Sequence, residues 1–580
     1  MNIFDDVYQW LINAVKNEYN LDHIDFSKVV VEPTKDARHG DLATNIAMVL
    51  SKQLSCKTQE LAQKIIVRMN DNLNIMKFEI AGPGFINMTM NPSFWHETMM
   101  KVWQLKESFG KPQVDNPDEI LVEFVSVNPT GPLHAGHGRN AIYGDTLASL
   151  LEFCGHKVTR EYYINDAGGQ VDALGESAIW RYKQALGQDV SEDQFGPDMY
   201  RGDYLVSVGT KLKEKYGDTL LSLEYSEMLQ IVKDFSVVEM MNKIKDDLNF
   251  AHIIMDVYTS EREIIDEGHL NQMLKNFQKA GLIYNGVLAA PLGITVDDWE
   301  EKPQLLFKAI QFGDDVDRAL QKSDKSWTYF AGDVGYHYYK IQRGFKKLLN
   351  IFGADHIGYV KRLKAAVSAM SDADTLDVRL TQMVNFVDGG KSVRMSKRSG
   401  NFITFRDVLE RVGINATRYL MLSRHHDMAL DFDFDLVVSH NKDNPVFYVN
   451  YAYARMHSVI KQMTKTFPHI ADDKALDDVK LDLLVNEEEI ALIKEINNWP
   501  RVLQMAYVHK EPHRIIQHLY QLAYRFSVLW NAGRENSQLR FIDPNNVNVS
   551  LVRLKLIQTN ILIFKIACSI LKIELVEEMN

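Results

Sequence analysis

Cysteine is scarce in this chain of 580 residues: Cys56, Cys154 and Cys568 stand far apart, with no CxxC pair among them. That excludes a zinc ribbon and a disulfide scaffold, and it suits a reducing, cytoplasmic setting. A secretory signal is missing too. The chain opens Met1-Asn2-Ile3-Phe4-Asp5-Asp6, acidic where a signal is basic, and no apolar run precedes a small-residue cleavage site. No uninterrupted apolar run predicts a membrane span, because the greasiest stretch, residues 561–575, is broken by Lys565 and Lys572. Positive charge is in deficit. A net charge of −12 argues against a protein that coats nucleic acid indiscriminately. A selective RNA binder needs only a basic stripe, for which Lys340, Arg343, Lys346 and Lys347, or Arg394, Lys397 and Arg398, are candidates. Internal repeats and low-complexity tracts are also lacking.

What is present is an ordinary globular composition, 46% hydrophobic and 24% charged. At this length, well beyond the roughly 250–300 residues of a single core, at least three domains are expected. Phe4, Val7, Leu11, Ile12 and Val15 recur at helical spacing, as do Leu42, Ile46, Val49 and Leu50. From Phe78 the pattern turns to alternation, and Gly82-Pro83-Gly84 makes a turn before a strand at residues 85–88. Residues 1–110 therefore predict a small N-terminal α+β domain. Residues 120–125 then read as a buried parallel strand, 133–154 as a helix stopped by Gly155, and 157–164 as a second strand. This βαβ unit predicts a Rossmann-like α/β core with a parallel sheet over residues 115–440, carrying an insertion around 170–260. Over 441–580 the spacing of Leu554, Ile557, Ile561, Phe564, Cys568 and Leu571 predicts an all-α helical bundle. The acidic run Glu487 to Glu489 is expected on a helix surface.

Two short motifs carry chemistry. His134-Ala135-Gly136-His137 opens the helix of the βαβ unit, setting two imidazoles beside the N–H donors of a helix N-terminus. Phosphate oxygens suit such a place, and Gly136 leaves room for an adenine ring. Ordinary surface histidines would read the same way, whereas a metal pair would need HExxH spacing. The second motif is the basic run Arg394-Met395-Ser396-Lys397-Arg398-Ser399-Gly400-Asn401, which follows Gly389 and Gly390. A lysine on such a loop can follow phosphate oxygens as charge moves onto departing pyrophosphate. Either motif alone is common; the two in this order, about 260 residues apart, are not.

HAGH and RMSK resemble the HIGH and KMSK signatures of class I aminoacyl-tRNA synthetases. Their surroundings are similar to the arginyl-tRNA synthetase family along essentially the whole chain: residues 123–137 and 160–166, Tyr329 to Asp333, Gly353 to His356, residues 443–448 with Tyr451 and Arg455, and residues 81–87. The resemblance implies ATP-dependent ligation of L-arginine to tRNA(Arg) through an arginyl-adenylate, with Mg²⁺ bridging phosphates and activation requiring bound tRNA. It implies a cytoplasmic monomer with no membrane partner. ATP binding falls to His134, Gly136, His137, Arg394, Ser396 and Lys397, of which His134, His137 and Lys397 are catalytic, and no metal is held by the protein. Tyr329 and Asp333, the latter read as a loop residue, are expected to hold the guanidinium, whose planar fork a carboxylate matches. Glu123, Ser126 and Asn128 would fix the α-amino and carboxylate ends. By the same resemblance the bundle binds the anticodon through Tyr451 and Arg455, and the first domain contacts the tRNA elbow. Trp499 and Trp530 are either core residues or further RNA contacts. Arg394 departs from the usual first lysine, Asn450 stands where the family often has Gln, and Asn580 follows the usual terminal Met. An HxGH nucleotidyltransferase would lack the helical tail, a non-catalytic RNA-binding paralogue would have lost His134, His137 or Lys397, and a cysteinyl-type enzyme would carry zinc-ligand cysteines.

Overall fold

The computed structural model describes residues 2–19, 23–112, 114–191, 195–196, 198–288, 302–393, 402–441, 443–468 and 474–579. They form two compact units. One combines Met1–Pro112 with His440–Ile570 and Glu574–Asn580; the other is Gln113–Ser439 with Leu571–Ile573.

In the first unit, helix Ile3–Tyr19 buries Phe4, Val7, Leu11 and Val15. A four-stranded antiparallel sheet accompanies it. Leu42 lies in the strand Leu42–Thr44 and not in the predicted helix, which is confined to Ile46–Leu50. Leu42 and Thr44 are both buried, so a period of two holds here before the period of 3.6 begins. Helices Thr58–Met69, Pro92–Leu105, Pro445–Thr466, Glu487–Asn497, Trp499–His509, His513–Glu535 and Val547–Leu571 build much of the rest. Trp499 is fully buried and its Nε1 donates to Phe109 O at 3.1 Å, which makes it a core residue. Glu489, expected on a surface, is also buried. It closes a capping box with Asn486 and accepts from Arg553 Nε at 2.6 Å, because the acidic run is the first turn of its helix. The last helix begins far enough upstream, at Val547, to be long and apolar enough to cross a membrane by length and composition. In the fold, 78% of its most apolar window is buried, so that apolarity is used by the protein core.

In the second unit, five parallel strands are labelled β1 (Glu119–Glu123), β2 (Lys157–Ile164), β3 (Val257–Ser260), β4 (Lys347–Gly353) and β5 (Leu376–Thr381), in the order β5-β4-β1-β2-β3. Ile120, Leu121 and Val122 of β1 are all buried, as expected of a central parallel strand covered on both faces. Helix α1 (Ala135–Phe153) links β1 to β2; helices Gly169–Ala185, Tyr204–Tyr216 and Tyr225–Phe250 are inserted before β3. Helices α2 (Tyr329–Gln342) and α3 (Ile357–Ser368) flank β4 in sequence. The chain runs outward from β1 through β2 and β3 on one side and resumes with β4 on the other. This reversal opens a crevice at the carboxyl ends of β1 and β4, where ligands of such sheets bind.

The basic stripe proposed from Lys340 onward does not face solvent as a unit. Lys340 is fully buried with its Nζ 2.5 Å from Glu123 Oε2, and Arg343 donates to Glu161 Oε2 at 2.5 Å. The end of α2 turns both toward the sheet, where the buried carboxylates Glu123 and Glu161 need cations.

Candidate active site

Just beyond β1 the backbone turns through two consecutive left-handed residues, Val125 at φ 67° and Ser126 at φ 38°. Each such residue costs about 1–3 kcal/mol, so the surroundings must hold the turn. Asn140 on α1 does so. Its Oδ1 accepts from Val125 N at 2.7 Å while its Nδ2 donates to Ile351 O at 3.0 Å, tying the ends of β1 and β4 across the crevice. Ser126 Oγ accepts from Tyr163 N at 3.1 Å.

The crevice contains a cavity of about 110 Å³ whose walls include Glu123, Ser126, Asn140, Tyr163, Tyr329, Asp333, His356 and Tyr359. Four of the five residues expected around the amino acid are thus together. Asn128 is not a wall residue, and its Nδ2 donates to Gln170 Oε1 at 2.6 Å. Asp333 lies on a helix and not in a loop. Thr328 caps α2 by accepting from Ala331 N, and Tyr329 and Asp333 follow four apart on one face.

Electrostatically, the carboxylates of this site are unequal. Glu123 reaches the cavity already paired with Lys340. Asp333 accepts instead from the neutral Tyr359 hydroxyl. Burial is the main reason its pKa is pushed up to about 7, and the Glu123 charge adds to it against the relief from Tyr359 and Lys340. Glu261, first residue of the helix Glu261–Asp266, is likewise raised to about 7, by burial first and then by Asp333 and Asp166.

The histidine motif stands at the start of α1. His134 is the N-cap residue, and its ring stacks on that of His137 with centroids 3.4 Å apart. A Cβ on Gly136 would come within 3.0 Å of the His134 ring, so the glycine makes room for this stack. Arg394, Ser396 and Lys397 lie outside the described residues. The segment directly after them is bonded to the histidine motif: Ala135 N donates to Ile403 O at 2.9 Å, Phe405 N to Leu133 O at 2.8 Å, and His134 bridges Thr404. Helix α4 (Phe405–Val412) then packs against α1 so closely that a Cβ on Gly138 would lie 2.5 Å from the Phe405 ring.

In the first unit, Arg455 stacks over Tyr451 and Trp530, at 4.2 and 4.7 Å from their centroids. Trp530 also lines a cavity of about 360 Å³ with Arg534, Arg540 and Phe541. Sequence reasoning did not single out Asn140, Glu261 or Tyr359. Asn140 alone had a usable signal, a polar residue three positions beyond His137 on a helix whose later positions are buried.

The chain matches three family models: arginyl tRNA synthetase N terminal domain over residues 6–90, tRNA synthetases class I (R), catalytic domain, over 99–433, and DALR anticodon binding domain over 449–579. The arginine–tRNA ligase of Ruegeria pomeroyi is 43% identical over 585 residues, covering 100% of each chain. That of a Bradyrhizobium species is 45% identical over 544 residues, covering 92% of this chain and 91% of its own. The solved arginyl-tRNA synthetase of Thermus thermophilus shares the fold, with a TM-score of 0.74 at 18% identity over 99% of this chain and 100% of that one. With its two signatures joined through the residues that flank them and with full-length identity to these ligases, the chain belongs to the arginyl-tRNA synthetase family.

Proposed function

We propose that the protein ligates L-arginine to the 3′ end of tRNA(Arg), using ATP and passing through an arginyl-adenylate, as a cytoplasmic monomer. The observation that carries the substrate assignment is the cavity at the β1/β4 crevice, where half-buried Asp333 has a phenol and, among the described residues, no basic side chain as its bonding partner. A guanidinium supplies the cation and the planar donors that such a carboxylate matches. Glu261 adds a second carboxylate that burial leaves unfavourably charged. In this reading Tyr329 and Asp333 hold the guanidinium, and Glu123, Ser126 and Asn128 fix the α-amino and carboxylate ends.

The arginine carboxylate attacks the α-phosphate of ATP and pyrophosphate leaves; a ribose hydroxyl of the tRNA terminus then attacks the mixed anhydride and AMP leaves. No covalent enzyme intermediate is required, so the protein supplies position and charge. His134 and His137 sit at the N-terminus of α1, a place suited to phosphate oxygens. Gly136, Arg394, Ser396 and Lys397 complete the ATP site, with Lys397 following the departing pyrophosphate. Magnesium would enter with ATP, as MgATP, and supply positive charge against the phosphates. Tyr451 and Arg455 contact the tRNA, and the stack of Arg455 with Trp530 supports a surface for unpaired bases.

The test is pyrophosphate exchange into ATP by the purified protein. Exchange is expected with arginine and tRNA(Arg) together. Robust exchange with a different amino acid would overturn the substrate assignment, and exchange with arginine alone would remove the requirement for tRNA.

A further inference from the structure

Tyr163, near the end of β2, is a wall of the crevice cavity. Its ring is fixed, stacked on Tyr336 with centroids 4.1 Å apart and planes 16° apart, and packed with Ile264 and Leu270. The residue is 6% exposed, its hydroxyl oxygen is shielded from solvent, and no group among the described residues hydrogen-bonds that oxygen. Neighbouring phenols are different. Tyr162 donates to Val127 O at 2.7 Å, Tyr336 to Glu161 Oε1 at 2.7 Å and Tyr359 to Asp333.

A buried hydroxyl without a partner is unfavourable, and phenylalanine would fill the same volume without that cost. The hydroxyl therefore points to a partner that arrives with a ligand. Burial, followed by the charges of Glu261, Asp333 and Glu123, holds Tyr163 well above the ordinary phenol pKa, so it remains a neutral group able to accept one hydrogen bond and donate another. Among these acids the ligand group that suits its lone pair is a cationic N–H. We propose that Tyr163 Oη accepts a hydrogen bond from a guanidinium N–H of the bound amino acid and is a specificity-determining residue for it. This rests on the assignment of the cavity to L-arginine. An ammonium, with its donors around one point, would reach Asp333 but not match several acceptors at fixed positions in the wall.

The test is Tyr163→Phe in the full-length protein, with Asp333→Asn in parallel. Aminoacylation kinetics should show the KM for arginine raised on the order of ten- to hundredfold in Tyr163→Phe, the range for a hydrogen bond to a charged group, while the KM for ATP holds. Thermal unfolding of the ligand-free variant should occur at or above the wild-type midpoint, because an unpaired buried hydroxyl has been removed. An unchanged arginine KM overturns the proposal. So does a lowered unfolding midpoint accompanied by equal rises in both KM values, the pattern of a merely structural tyrosine. If Asp333→Asn raises the arginine KM and Tyr163→Phe does not, only the Tyr163 inference fails. If neither variant changes it, the assignment of the cavity fails as well.

Discussion

Arginine affinity should depend on pH across a range where free arginine does not titrate. Asp333 and Glu261 are both raised to about 7 in the ligand-free protein, chiefly by burial. A guanidinium binds the ionised form of Asp333, a wall of the cavity, and its charge favours the ionised form of Glu261, which feels the charge of Asp333, so binding drives off whatever proton these carboxyls hold. With a pKa near 7, about one carboxyl in eleven is ionised at pH 6 and about ten in eleven at pH 8, which makes affinity at pH 6 roughly tenfold weaker for one linked group. If both are linked, the factor approaches about a hundredfold. The sign follows from the direction of the shift: affinity rises with pH through about 7 and levels off above it. Calorimetry in two buffers of different ionisation enthalpy reads this directly, as protons released per arginine bound at pH 6. Asp333→Asn should bind arginine weakly and lose the share of the pH dependence that Asp333 carries. A wild-type affinity that is flat between pH 6 and 8, or an Asn variant that keeps the full slope, would refute the reasoning that burial has left these acids uncompensated.

Lys397→Ala should lower kcat by about 10²- to 10³-fold with little change in the arginine KM, as for loss of a group acting on developing charge; single-turnover adenylate formation measures it. Gly138→Ala should destabilise the catalytic unit by about 1–3 kcal/mol in urea unfolding, because its Cβ would lie 2.5 Å from Phe405. Asp145, fully buried on α1, accepts from Arg418 at 2.6 Å and Lys572 at 2.7 Å; Asp145→Ala should cost about 3–5 kcal/mol by leaving Arg418 buried and unpaired. Burial opposes the Asp145 charge, but Arg418 and Lys572 outweigh it and hold the pKa below its ordinary value. Its stabilisation should therefore be complete above about pH 4 and be lost as pH falls further, which acid titration of stability would follow.

Much of this architecture is legible from periodicity, because β1, β2 and α1 each bury what their patterns say they bury. The limits of pattern are equally physical. Leu42 fits a helical series and a strand equally well, and the antiparallel pairing of Leu42 with Met88 decides in favour of the strand. Lys340 and Arg343 look like a surface stripe in one dimension. Only the fold reveals Glu123 and Glu161 waiting at the sheet, 217 and 182 residues away. Asp333 was assigned to the guanidinium through its resemblance to a family, yet the helix that sets it four residues from Tyr329 was not foreseen. Glu261 and Tyr163 were beyond reach, because a buried atom's lack of a partner is a property of space and not of spacing.

The charges around the crevice show why Asp333 and Glu261 matter. Several cations that reach the interior of the second unit face a carboxylate: Lys340 with Glu123, Arg343 with Glu161, Arg418 and Lys572 with Asp145, whereas buried Arg139 donates to the backbone oxygens of Gln382, His425 and Met428. Such pairs recover part of their desolvation cost through their mutual attraction. Asp333 and Glu261 recover far less, and each answers by rising toward a neutral, protonated state. Mutation to apolar residues would relieve that cost in the ligand-free protein, so a fold selected for stability alone would not keep them. Their presence makes sense if the missing attraction is supplied by a cation that comes and goes. A permanent internal lysine would satisfy both acids and close the cavity; a guanidinium on a substrate satisfies them only when there is arginine to activate.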